Sequence, residues 1–237
     1  MINEFWEEKY RKDCGKSWNL FYKRNKDKVY KDRRWTDREF EELRKDEAQV
    51  LLEIGCGVGN FIMPLLEKYP KLQIYGCDFA TEALEILKQK QGFDPNRCFL
   101  FPCDITKDII CDSVPQASVD IISCIFVFSA LHPKDFKRAA SNIISSLKPG
   151  GVIIFRDYAM DDSAQKRFKD DRKISERLFV RQDGTFTNYF DTEELKSIFE
   201  PLRVLECQVV ERMTSNVKEM VQYNRKFIQA KFQKERE

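Results

Sequence analysis

The sequence predicts an α/β fold: a mostly parallel sheet with helices on both faces, an antiparallel pair at its edge, and a basic helical arm in front. Three observations carry this. From residue 49 onward, short runs of Val, Ile and Leu alternate with stretches of helical spacing, the pattern of successive βαβ units. The first run breaks at Gly55-Cys56-Gly57-Val58-Gly59, a glycine turn between strand and helix. The 237 residues, 42% of them hydrophobic, are enough to bury a substantial core.

The arm comes first, over residues 1–47. From Lys9 to Arg38 it holds twelve Lys or Arg against four Asp, a local +8 that leaves −6 for the rest of a chain whose total is +2. Trp18, Phe21, Tyr22, Tyr30 and Trp35 are interleaved with these charges. Such a mixture holds phosphates and offers faces on which bases stack, and a solvated helix surface is the alternative.

Residues 48–237 read as one domain. Residues 49–54 form a buried strand, and the glycine turn leads into an amphipathic helix at about 60–69. Residues 72–77 are a second strand ending at Asp78, and 81–89 a second helix with Thr81 as its cap. Strands three and four are residues 98–103 and 119–126. A helix over 134–147 ends at Lys148-Pro149-Gly150-Gly151, which turns into strand five at 152–155. This alternation makes the sheet parallel and covers both of its faces. The last third departs from it: a polar helical stretch at 161–177, then 179–190 around Gln182-Asp183-Gly184, then a short helix at 192–199. Two strand-like runs close the chain, 203–210 and 225–232. The roughly fourteen residues between them lack a helix, which suits an antiparallel pair at the sheet edge.

Other classes are excluded by composition. Charged residues make up 34%, and no apolar run approaches the ~20 residues that span a bilayer. The opening Met1-Ile2-Asn3-Glu4-Phe5-Trp6-Glu7-Glu8 lacks the basic start and apolar stretch of a secretory signal, so a cytoplasmic place is expected, with the nucleus open. The eight cysteines are scattered, none in a Cys-x-x-Cys pair, and His132 is the single histidine. Reduced buried thiols and no metal are expected.

The glycine turn stands at the C-terminal end of the first strand, where an open parallel sheet binds its ligand. Its Gly-x-Gly-x-Gly spacing, with Gly55 and Gly57 in its first half, differs from the Gly-x-Gly-x-x-Gly of dinucleotide sites. Asp78, ending strand two, can accept from both hydroxyls of a ribose. Glu53 precedes the turn with no compensating Lys or Arg, which disfavours a phosphate and suits a sulfonium or ammonium. Asp104 can reach an adenine amino group while Ile105 contacts its face. Ile125 and Phe126, ending strand four, supply apolar walls. Together these indicate an adenosyl group bearing an amino acid.

These motifs resemble those of class I S-adenosylmethionine-dependent methyltransferases. The chain is similar, more narrowly, to the methyltransferase-like family that makes 3-methylcytidine in tRNA. The likeness runs over nearly the whole chain, through Ser17-Trp18-Asn19-Leu20-Phe21-Tyr22-Lys23-Arg24-Asn25, Lys31-Asp32-Arg33-Arg34-Trp35-Thr36, Glu39-Phe40, Gly55 to Asn60, Cys77-Asp78-Phe79, Phe155-Arg156-Asp157-Tyr158 and Val180-Arg181-Gln182-Asp183-Gly184-Thr185. It implies a seven-stranded sheet with an antiparallel last strand and S-adenosylmethionine as cofactor. It implies cofactor contacts at Trp18, Tyr22, Gly55, Asp78, Asp104, Ile105 and Ile125, with the arm closing as a lid. Phe-Tyr-Lys-Arg-Asn and Glu-Phe-Glu-Glu-Leu look closer to the branch acting on serine tRNAs. That branch implies a cytidine at position 32 of the anticodon loop and help from seryl-tRNA synthetase.

N3 of cytosine carries an in-plane lone pair and attacks a sulfonium methyl without a general base, so positioning and desolvation dominate. The product is a cation, and a nearby carboxylate stabilises it. Asp157, beside Arg156 and Tyr158, is the candidate, with a structural Arg156–Asp157 ion pair as the alternative. The base must leave its stack, and Phe126 or Tyr158 can receive it. His132 either approaches the base or stabilises a turn. The cations placed on RNA are Lys23, Arg24, Lys31, Arg33, Arg34 and Arg38 in the arm, then Arg177, Arg181, Arg225 and Lys226, with Lys218 on the same rim. Lys166, Arg167, Lys169, Arg172 and Lys173 read as a solvated helix face. Ser123-Cys124-Ile125-Phe126-Val127-Phe128 lacks the Pro-Pro-aromatic of exocyclic-amine methylation, and Cys124 lacks the setting of a carbon-5 nucleophile. The rivals are a small-molecule methyltransferase and a non-catalytic RNA-binding subunit.

Overall fold

The first apolar run becomes β1 (Gln49–Ile54), a central strand in which every residue but Val50 is buried. In the computed structural model, which describes residues 2–44, 47–216 and 220–236, β1 pairs in parallel with both β2 (Leu72–Asp78) and β4 (Val119–Ile125). β3 (Cys98–Pro102) continues the parallel set beyond β2, and β5 (Leu147–Tyr158) continues it beyond β4. A separate hairpin, β6 (Leu178–Val180) and β7 (Phe186–Asn188), precedes the two long closing strands β8 (Arg203–Asn216) and β9 (Val221–Gln233). The main sheet has seven strands in the order β3-β2-β1-β4-β5-β9-β8, and β9 is antiparallel to both of its neighbours. Strand order reverses between β1 and β4, so their C-terminal ends open the crevice in which such a sheet takes its ligand.

Helices α1 (Glu4–Asn25) and α2 (Thr36–Glu39) belong to the arm; α3 (Ile62–Lys68), α4 (Thr81–Lys88), α5 (Phe136–Ser146) and α6 (Thr192–Ile198) belong to the domain. One face of the sheet buries Phe128, Phe155, Phe199 and Phe232, and the other buries Leu51, Phe61 and Ile74 together with Phe40 from the arm. α1 starts on Asn3, whose side chain accepts from the Trp6 N–H at 3.1 Å, and carries acids in its first turn and Lys23 and Arg24 in its last, as the helix dipole favours. Its Trp18 and Tyr22 are buried against Val58, Ala80 and Ala83. All eight cysteines are free thiols, five of them buried. No helix among the described residues is long and apolar enough to cross a membrane.

Four local expectations are corrected. Thr81 is the first helical residue of α4 and no cap; Ala80 stands at the cap, and Asn19 of α1 reaches across to accept from the Glu82 N–H at 3.0 Å. The 161–177 stretch is irregular, with two short 3-10 turns, Gln165–Arg167 and Asp170–Arg172. Asp162 explains it: this buried carboxylate accepts from the Ala164 N–H at 2.6 Å and from the Lys226 N–H at 2.7 Å, bonds that compete with a helix. β5 begins at Leu147, so Lys148 to Gly151 lie within the strand and Gly150 takes φ +79°. The closing strands are longer than their apolar runs, because 211–216 and 221–226 pair with each other beyond the edge of β5.

Candidate active site

At the end of β1 the backbone turns through Gly55 at φ +61° and Gly57 at φ +51°. A Cβ on Gly57 would lie 2.5 Å from the Tyr22 hydroxyl, so the absence of a side chain is what lets α1 close over the loop. Asp78, at the end of β2, braces the turn: its Oδ2 accepts from the Gly57 N–H and its Oδ1 from the Ala80 N–H, each at 2.8 Å. Burial pushes the Asp78 carboxyl up to about 6 despite those two bonds. Burial also raises Asp104, but hydrogen bonds from Lys107 and Thr106 outweigh it and hold that carboxyl below its usual range. Asp104 and Ile105 line the same cleft as Trp18, Tyr22, Gly55, Asp78 and Phe126, around roughly 550 Å³ of space.

Two buried polar atoms here have no hydrogen-bond partner among the described residues, Trp18 Nε1 and Glu53 Oε2. Burial pushes the Glu53 carboxyl well up, and nearby Arg33 draws it partly back. An unpaired donor, an unpaired acid and a braced Asp78 fit a ribosyl group carrying an ammonium. In such a fit Asp78 would take the ribose hydroxyls, Asp104 and Ile105 the adenine, and Glu53 the amino-acid end.

A second space, roughly 940 Å³, opens beside the first and shares Trp18, Tyr22, Gly55 and Phe126 with it. Phe126 sits at φ +60°, with its N–H held by the Arg156 carbonyl at 2.8 Å. Its ring meets Tyr158 at 5.2 Å and Phe227 at 5.6 Å between centroids. Arg33 lies 5.4 Å over the Phe126 ring and donates from Nη1 to the Ile125 carbonyl at 3.0 Å. Arg181 and Arg225 lie 5.9 and 5.6 Å from the Tyr158 ring centre. The result is an aromatic chamber flanked by guanidinium groups, in which Glu53 is the one acid among the described lining residues.

Several sequence-predicted residues fall elsewhere. Ile125 packs in the core and lines neither space; only its carbonyl reaches the site, through Arg33. Arg156 and Asp157 are not paired, because successive strand residues face opposite sides. Arg156 lies 4.5 Å over the Trp35 ring, bonds Gln229 at 3.1 Å and stands 3.7 Å from Glu39. Asp157 is fully buried behind the chamber wall, where it accepts from the Ser129 N–H at 2.8 Å and the Tyr158 N–H at 2.9 Å. Burial lifts its carboxyl to about 6 against these bonds. His132 is a buried tie: Nε2 meets Glu7 Oε1 at 2.8 Å and Nδ1 accepts from the Lys134 N–H at 3.3 Å.

The cations separate as well. Arg177 is held by Asp191 and Glu194, Arg225 by Asp162 at 2.9 Å, Lys226 by Glu211 at 3.4 Å and Arg34 by Glu67 at 2.9 Å. Lys23, Arg24, Lys31 and Arg38 are exposed, Lys31 at the chamber itself. Lys218 lies outside the described residues. Phe227 and Ser129 were missed from the sequence; β9 pairs Phe227 with Tyr158 across the sheet, a register that no local pattern reveals.

Comparison with known proteins agrees with this geometry. A methyltransferase domain family matches residues 52–153. The fold is similar to that of an S-adenosylmethionine-dependent methyltransferase from Anabaena variabilis, with TM-score 0.72 and 14% identity over 93% of this chain and 94% of that one. Fold and cleft together define a class I S-adenosylmethionine-dependent methyltransferase. Among curated relatives, human tRNA N(3)-cytidine methyltransferase METTL6 is 44% identical over 99% of this chain and 85% of its own length. The Schizosaccharomyces pombe tRNA N(3)-methylcytidine methyltransferase trm141 is 39% identical over 98% of this chain and 97% of its own. The chain belongs to the tRNA N(3)-cytidine methyltransferase family.

Proposed function

We propose that this chain methylates N3 of cytidine 32, in the anticodon loop of serine tRNAs, and that seryl-tRNA synthetase assists by holding the tRNA body. The observation that carries the reading is the aromatic chamber abutting the cofactor cleft, with Phe126 common to both. When bound, S-adenosylmethionine supplies an electrophilic methyl group. Phe126 and Tyr158, packed on each other at 5.2 Å, offer an aromatic wall on which an extruded base stacks and which keeps water from it, and Arg33 and Arg181 steady the negative strand that brings it in. Asp157 acts at one remove, fixing Ser129 and Tyr158 in the chamber wall. No side chain needs to remove a proton, because N3 attacks through its own lone pair. A site for a small neutral metabolite would have no use for guanidinium groups around its mouth.

The test is incubation with total tRNA, alone and with seryl-tRNA synthetase, followed by nucleoside mass spectrometry. 3-Methylcytidine in serine tRNA is expected, more of it with the synthetase present. No 3-methylcytidine under either condition overturns the substrate. Failure to bind labelled S-adenosylmethionine would instead favour the non-catalytic rival.

A further inference from the structure

Beyond the chamber lies an open groove of roughly 1240 Å³, solvent included, of which the proposed reaction uses only Arg181. It runs between the end of α1, the irregular segment after β5 and the turn between β6 and β7. Arg24, Arg167 and Arg181 converge on it, and Phe21 and Phe168 supply apolar faces. Arg181 lines both the chamber and the groove, so the two spaces adjoin at this residue. Its place is fixed by the turn, where the Arg181 N–H donates to the Thr185 carbonyl at 2.8 Å and the Gly184 N–H donates back to the Arg181 carbonyl at 3.0 Å.

The arginines of this molecule fall into two groups. Arg11, Arg97, Arg177 and Arg225 all hold a carboxylate. Among the described residues, Arg24, Arg167 and Arg181 form no ion pair. The one acid of the groove, Asp183, turns its Oδ1 to the Thr185 N–H and hydroxyl, at 3.0 and 2.7 Å. Three cations without an ion pair, against the single acid Asp183 among the described lining residues, leave the groove net positive and suited to more than one phosphate. The aromatic faces are preset: Phe168 stacks on Phe179 at 4.8 Å and 26°, and Phe21 lies edge-on to Trp18 at 5.2 Å. Phosphate-binding cations beside stacking faces are the two elements of a single-strand nucleotide seat.

We propose that this groove binds the nucleotide next to the methylated cytidine on the same RNA strand. Arg24, Arg167 and Arg181 take its phosphates and Phe21 and Phe168 its base. The inference rests on the reading that the target base occupies the chamber; the groove then holds the strand as it leaves, so that the extruded base cannot slip back.

The experiment uses the full chain with S-adenosylhomocysteine and a serine anticodon stem-loop RNA, binding being followed by fluorescence anisotropy. Uncharged methylphosphonate linkages are placed one at a time around the target cytidine. Neutralising a linkage beside the target should weaken wild-type binding about tenfold, the low end for a charge-assisted hydrogen bond. The Arg24→Gln/Arg167→Gln protein should bind the unmodified RNA more weakly and show little further loss with that linkage. Its slope of log affinity against log salt should fall by about 1.4, near 0.7 for each single-strand phosphate contact. Cofactor affinity, measured in parallel, should not change. Equal losses in wild type and variant, or no loss at any flanking linkage, overturn the groove assignment. If the coupling appears but wild-type protein with S-adenosylmethionine makes no 3-methylcytidine in this RNA, the groove assignment stands and the proposed reaction fails.

Discussion

Replacing Asp78 by Asn removes a buried charge with almost no change of shape, and its effect can be worked out from the structure. The carboxyl is pushed from 3.8 to about 6 by burial, with bonds from Gly57 and Ala80 already opposing the shift. Roughly two units at 1.36 kcal/mol each is a penalty of about 3 kcal/mol for holding the ionised form in the free protein. The sign follows from the folded value lying above the unfolded one. The penalty is fully present above pH 6, shrinks as pH falls through 6 and is absent below about 4. Asn relieves it but presents an NH₂ to one of the two backbone N–H groups, a loss of ~1–3 kcal/mol, so the variant should melt within a few degrees of wild type at pH 8.

Cofactor binding should respond in the opposite direction. Two ribose hydroxyls donating to a carboxylate are worth ~1.5–3 kcal/mol each, and their weakening in Asp78→Asn should raise the dissociation constant about 100-fold. Only the ionised form accepts from both hydroxyls while bracing the turn, so wild-type affinity should fall about tenfold per pH unit below 6. The assay is titration calorimetry with S-adenosylhomocysteine from pH 5 to 8. Wild type should show the fall and Asp78→Asn should be weak with a flatter profile; Glu53, present in both proteins, cancels from the comparison. The same pH slope in both, or wild-type affinity in the variant, would refute the assignment of the ribose to Asp78.

Asp157→Asn should lower kcat about tenfold while sparing cofactor affinity, since it weakens the bonds that hold Ser129 and Tyr158, and should leave Tm within a few degrees at pH 8, because relief of the buried charge offsets the weakened bond as at Asp78; loss of cofactor binding in step with turnover would make it a general support of the fold. Arg33→Ala should weaken both cofactor and RNA binding, because Arg33 pins the end of β4 and covers Phe126, whereas Arg34→Ala removes one exposed ion pair and should leave both within twofold. Identical behaviour of the two variants in calorimetry and anisotropy would reduce Arg33 to a surface contact. Arg177→Ala should cost about 1 kcal/mol, or roughly 2–4 °C in Tm, and leave the salt slope of RNA binding unchanged. A slope reduced by ~0.7 would return Arg177 to the RNA surface.

The cleft at the C-terminal ends of β1 and β2 was legible because its determinants are local. A glycine at positive φ, an acid closing a strand and the C-terminal edge of a parallel sheet are each set by a few consecutive residues, so Gly55, Asp78 and Asp104 could be placed from the chain alone. Asp157 could not, because β5 is covered on both faces. Where both sides of a strand are buried, polarity no longer alternates and nothing local says which way a side chain points. The 161–177 stretch shows a different limit: its helical spacing is real, but Asp162 bonds Ala164 and, sixty-three residues on, Arg225. The chamber depends on such distant pairings throughout. Phe126, Tyr158, Arg181 and Phe227 come from four separate segments and meet only through strand register and the turn between β6 and β7.

The charge of the arm also changes meaning once each cation is placed. A local +8 implies a uniformly attractive segment, yet Arg11 is held by Asp135 at 2.6 Å, Arg34 by Glu67, and Arg33 is turned inward over Phe126. Among the exposed cations toward the working end are Lys23 and Arg24 in the last turn of α1 and Lys31 beyond it. At physiological salt the field of an exposed charge decays over roughly 8 Å, so cations near the chamber mouth act on an arriving phosphate while those at the far end of a 22-residue helix do not. Position along α1, more than the count, therefore sets the pull on RNA. The same helix supplies Trp18 and Tyr22 to the cofactor cleft, so any tilt of α1 that loosens the cofactor also withdraws these three cations. Cofactor and RNA affinity should accordingly rise and fall together in variants that disturb α1 packing, a coupling that separate sites on a rigid domain would not show.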